Sequence, residues 1–60
     1  MANLTQVELN SIRETVASHK TVAAKLCNYA QQCNDPQIKQ MFQQASTEAD
    51  KSANNLLQML

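Results

Sequence analysis

Glycine and tryptophan are absent from this 60-residue chain, and proline, tyrosine, phenylalanine and histidine occur once each. Without glycine there is no flexible phosphate-cradling loop and no oxyanion-type turn. No serine or cysteine has an obvious base and orienter beside it, so the usual parts of a catalytic site are missing. Tyr29 and Phe42 alone make a poor platform for stacking bases, which calls for more aromatics and some positive charge. The five basic and five acidic side chains cancel. Arg13, Lys20, Lys25, Lys39 and Lys51 are dispersed along the chain, so it lacks both the basic stripe of a nucleic-acid binder and the polybasic face that an anionic membrane attracts. No apolar run approaches the roughly 20 residues of a membrane span. The start, Met1-Ala2-Asn3, lacks the positive charge and apolar stretch of a secretory leader. The expectation is a protein that is cytoplasmic at synthesis, holds Cys27 and Cys33 as reduced thiols, and has neither nucleic acid nor membrane as a partner.

What is present is helical periodicity. Ile12, Val16, His19, Ala23, Leu26, Ala30 and Cys33 follow at spacings of 4, 3, 4, 3, 4 and 3. Ile38, Phe42, Ala45, Ala49, Ser52, Leu56 and Met59 repeat the beat, and such spacing aligns side chains along one face of a helix. Thr5-Gln6-Val7-Glu8 fits a capping box, and Leu4 and Leu9 stand where a hydrophobic staple falls. Asn34-Asp35-Pro36 is the only breaker: Asp35 suits an N-cap, and Pro36 suits a first helical turn, where its missing N–H costs nothing. The pattern predicts one all-α domain, an antiparallel hairpin with a first helix over about 6–33, a turn at 34–35 and a second helix over about 36–60. Folding about the turn pairs positions whose numbers sum to about 71. Tyr29 then meets Phe42, Leu26 meets Ala45, Ala23 meets Glu48, His19 meets Ser52 and Ile12 meets Met59.

Length adds a constraint. A domain of this size buries only about 60% of its unfolded surface, and small scaffolds need a disulfide, a metal or a partner. A hairpin is also a single layer, whereas stable domains pack at least two. Self-association is the least demanding remedy: two copies make a homodimeric four-helix bundle whose core is the two seams above.

Few residues carry chemistry. His19 lies in the seam, where it is either a core histidine hydrogen-bonded to Ser52 or to a partner group, or a metal or proton site. Glu48 lies close to the second seam, about level with Ala23 and one turn from His19. Bundle di-metal sites use Glu-x-x-His strings, and Glu48-Ala49-Asp50-Lys51 has lysine where the histidine ligand belongs. No cofactor or metal is therefore expected. Cys27 and Cys33 are six residues apart, so their Cα atoms are about 9 Å apart on one helix, beyond the limit near 7 Å for a disulfide. They read as small, buried or half-buried hydrophobes, with an intermolecular cross-link through the more peripheral Cys27 as the alternative. Tyr29 and Phe42 read as an aromatic pair closing the turn end of the core.

From Tyr29 to Phe42 the chain runs Tyr-Ala-Gln-Gln-Cys-Asn-Asp-Pro-Gln-Ile-Lys-Gln-Met-Phe. Tyr29-Ala30, the Asn34-Asp35-Pro36 turn and Ile38-Lys39 resemble the spore coat protein F family of endospore-forming bacteria, part of the ferritin-like superfamily. Leu4-Thr5, Glu8-Leu9, Glu48 and the closing Asn55-Leu56-Leu57 and Leu60 extend the similarity over nearly the whole chain. The resemblance implies a helical hairpin or ferritin-like four-helix bundle and a structural, non-enzymatic role in the spore coat, alongside itself and other coat or helical proteins. Two departures stand out. Asp50 and Lys51 occupy the region where relatives carry a histidine, and the chain looks like half of a four-helix domain. The alternatives are a residual metal or redox protein using His19, Glu48 and Glu14, and a helical interaction module.

Overall fold

The structure, a computed structural model, describes residues 3–60. Met1 and Ala2, part of the start considered above, lie outside the described residues. The chain folds as an antiparallel hairpin of two helices, α1 over Gln6–Gln32 and α2 over Pro36–Leu57, with no strand among the described residues.

Each helix begins where its capping chemistry dictates. The Thr5 hydroxyl accepts from the Glu8 amide at 3.1 Å, and the Thr5 amide donates to the Glu8 carboxylate at 3.0 Å. This reciprocal box satisfies two donors that helix geometry leaves free. At α2 the Asp35 carboxylate accepts from the amides of Gln37 at 2.8 Å and Ile38 at 3.2 Å, with Pro36 in the first turn.

Both helices end slightly earlier than the periodicity predicts. A residue before proline is driven out of the helical region, and Asp35 is extended at ψ 121°. Cys33 has already turned extended at ψ 136° and donates its amide to Ala30 O at 3.3 Å. The connection is thus residues 33–35, and α1 stops at Gln32. At the other end Met59 and Leu60 donate to Leu56 O and Leu57 O, a tightening to three-residue spacing that commonly closes a helix end. Regular α2 therefore finishes at Leu57 rather than near Leu60.

The register follows the numbering rule closely. Tyr29 and Phe42 pack with ring centroids 5.8 Å apart at 59°, a tilted geometry that aromatic quadrupoles favour. Ser46 Oγ donates across the hairpin to Ala23 O at 2.8 Å. Lys20 Nζ binds Asp50 Oδ1 at 2.7 Å and Asn54 Oδ1 at 3.0 Å. Ala23 thus meets Ser46, two residues from the expected Glu48. The fully buried residues among those described are all alanines, Ala23, Ala30 and Ala53, and their small side chains allow close backbone approach. Phe42, Ser46, Ala49 and Leu56 are half-buried on the same side of α2 as Ala53, at spacings of 4, 3, 4 and 3 in chain order.

The Cα framework measures 47 × 16 × 9 Å, with a radius of gyration of 14.2 Å. A compact domain of this length would have a radius near 10 Å. The hairpin is therefore one helix thick, and no large side chain among the described residues is fully buried.

Candidate functional site

The two broad faces of the hairpin differ in chemistry. One is bridged by polar contacts around a shallow hollow of about 380 Å³. Lys20 and Asp50 pair across it, flanked by Ala24, Cys27 and Thr47. Both partners are roughly half exposed, so the pair contributes little in water. Cys27 belongs to this face and is exposed, whereas Cys33 is half-buried; both are free thiols. The expectation of a buried or half-buried Cys27 is corrected here: its helical position instead places it beside Lys20 at the open rim of the hollow it shares with Thr47 and Asp50 of α2.

The opposite face is open and mostly apolar. Its central part is a groove of about 420 Å³ between Ser18, His19 and Val22 of α1 and Ala45, Glu48, Ala49 and Ser52 of α2. Ala45 joins it to a second hollow toward the turn, lined by Leu26, Ile38, Met41 and Phe42. Exposure along this strip is high for such side chains: 48% for Val22, 47% for Ile38 and 69% for Met41. Contiguous exposed apolar surface of this kind marks an interaction surface.

The seam residues divide between the two sides of α2. Ile12, Val16, His19, Leu26, Phe42, Ala45, Ala49 and Leu56 are half-buried, and Ala23 and Ala30 are buried. Ile38, Ser52 and Met59 remain exposed in the single hairpin. Ala53 and Ser46, absent from the expected seam, form its inner line; their own spacing with Phe42, Ala49 and Leu56 was the available signal.

His19 is the one imidazole in the groove. Its Nδ1 lies 2.9 Å from Thr15 O. A carbonyl only accepts, so Nδ1–H donates there and Nε2 makes no bond to its own helix. Ser52 lines the same groove, but the imidazole's hydrogen bond goes to its own helix. Glu48 lines the groove as well, yet the ion pair among the described residues is Lys20–Asp50, not His19–Glu48.

These donors do not fit the metal chemistry of a di-metal bundle. Glu14 is exposed and does not line the groove. Lys51 occupies the histidine position of the Glu-x-x-His string. No group of three or more His, Cys, Asp or Glu side chains able to hold a metal occurs among the described residues. Nor is any helix among them long and apolar enough to cross a membrane.

The fold and surface define a small helical hairpin with one polar and one mostly apolar face. The Coat F domain family model matches residues 11–60, which include both sides of the groove and the turn. The chain belongs to the spore coat protein F family. The capping box at Thr5–Glu8 precedes the matched span. No curated protein and no solved structure matches the chain.

Proposed function

We propose that this chain is a non-enzymatic structural protein of the spore coat that works by self-association, two hairpins closing their open faces into a four-helix bundle. The observation that carries the reading is the hairpin's incompleteness. Among the described residues only three alanines are buried, while Val22, Ile38 and Met41 line or border one open face. A second layer of helices is the standard way to cover such a face. The family supports the location, and the bonding in the groove supports the non-enzymatic part: His19 and Glu48 share it with Ser18 and Ser52, yet the imidazole's hydrogen bond goes to the Thr15 carbonyl and not to a hydroxyl or the carboxylate, so no nucleophile, base and orienter are linked.

The location is tested by immunogold labelling of sectioned spores with antibody against this chain. Label concentrated in the coat layers of mature spores is expected. Label spread through the interior, or confined to vegetative cells, contradicts the reading.

A further inference from the structure

The open face carries information about how its partner sits. The accessible surface is 4634 Å², whereas a folded monomer of 6.7 kDa exposes about 3,900 Å². The excess of about 700 Å² is close to the roughly 800 Å² that each partner buries in a standard interface. A second copy of this chain matches that area, and with net charge zero two copies meet without overall repulsion.

Two symmetric packings of groove on groove keep neighbouring helices antiparallel. With the two-fold axis across the hairpin, the turns lie at opposite ends and each helix covers its own symmetry mate. With the axis along the hairpin, the turns lie at the same end and α1 of one copy covers α2 of the other. The charges distinguish them. On α2 the groove is lined by Glu48 with no basic residue from that helix, and on α1 by His19 with no acidic one. Stacking α2 on α2 buries the Glu48 carboxylates without a cation, a costly arrangement. Stacking α1 on α2 brings His19 over the level of Glu48 and Ser52, because the Ala23–Ser46 and Lys20–Asp50 contacts set position 19 level with about position 50 within each hairpin.

We propose that two copies pack with their turns at the same end, so that the His19 imidazole of each copy meets the Glu48 carboxylate of the other. This rests on the self-association reading above and specifies its geometry. The Thr15 carbonyl accepts from Nδ1–H, so in the imidazolium form the second N–H, at Nε2, is the donor left for the partner's carboxylate. His19 and Glu48 make no pair within one hairpin, so each is free for the other copy. The two pairs act as a register pin in a lining that is otherwise mostly apolar, with Ser18 and Ser52 its remaining polar side chains, the best-attested use of interfacial polar groups.

Two measurements on the full chain test this. The first places a spin label on Asn34→Cys in a Cys27→Ser, Cys33→Ser background and reads the label–label distance in the assembled protein. The expected distance is on the order of one or two interhelical spacings of about 10 Å. A distance near the 47 Å length of the hairpin places the turns at opposite ends and overturns the proposal while leaving self-association intact. A monomeric mass in sedimentation overturns both. The second measures the dissociation constant of Glu48→Gln, His19→Glu and the swap His19→Glu with Glu48→His. Each single change is expected to weaken association about tenfold or more, and the swap to recover much of the loss. Single variants that associate like the unaltered chain, or a swap no better than the singles, refute the pairing.

Discussion

Ala53 has 0% of its surface exposed, and Ala30 has 1%, so substitution at position 53 probes the closest approach of the helices. The Ser46–Ala23 and Lys20–Asp50 contacts fix the register and set Ala53 about level with Val16. A leucine there adds three heavy atoms where no accessible surface remains. The helices must separate, or the side chain must leave its preferred rotamer, at about 1–3 kcal/mol. Total stability for 60 residues is about 3–9 kcal/mol, so Ala53→Leu removes a sizeable share. The corresponding fall in melting temperature is on the order of ten degrees. Ala17→Leu is the matched control: the same change in composition and helix propensity, at an exposed position, with an effect expected within about 0.5 kcal/mol. Melts followed by far-UV circular dichroism at equal protomer concentration compare the two. Equal melting temperatures, or a more stable Ala53→Leu, would refute the assignment of the inner line of α2.

Four further outcomes are expected. Phe42→Ala breaks the pair with Tyr29 at a half-buried site and costs about 2 kcal/mol, below the range for a fully buried phenylalanine, as urea titration would show. Asp35→Ala removes the acceptor for the Gln37 and Ile38 amides and costs about 1 kcal/mol, visible in the same titration. Lys20→Ala costs under about 1 kcal/mol because its ion pair is solvent-exposed, and the difference shrinks in salt. The Glu8 carboxyl is held below its ordinary value of 4.5 by the Thr5 backbone N–H first and the Thr5 side chain second. A depressed native value stabilises the fold above the unfolded value and ceases to do so as pH falls through the native one, so helicity should decline on acidification below 4.5 and Glu8→Gln should flatten that part of the curve.

The helix starts, the turn and the register were legible in the sequence because each is set by local chemistry. Thr5 with Glu8 and Asp35 with Pro36 name their own positions, and a three-residue connection leaves the antiparallel register little freedom. The rotation of α2 about its axis was less legible. The lines Ile38, Phe42, Ala45, Ala49, Ser52, Leu56, Met59 and Phe42, Ser46, Ala49, Ala53, Leu56 both have helical spacing and share Phe42, Ala49 and Leu56. Alanine and serine differ too little in hydrophobicity to decide which line faces α1; the choice falls to backbone approach, where Ala53 fits and Ser46 finds the Ala23 carbonyl. The site was partly visible. His19, Glu48 and Ser52 were placed near one level by register, and they do line one groove. The imidazole's bond to Thr15 was not foreseen, since a four-residue step back to a backbone carbonyl leaves no mark in the pattern of side chains.

The central claim is that the open apolar face is covered by a second hairpin. Sedimentation equilibrium of the full chain at micromolar concentration tests it most directly. A mass twice the 6.7 kDa of one chain is expected, with a melting temperature that rises with protein concentration, as coupled folding and association require. A folded species of 6.7 kDa whose melting temperature does not depend on concentration would contradict it.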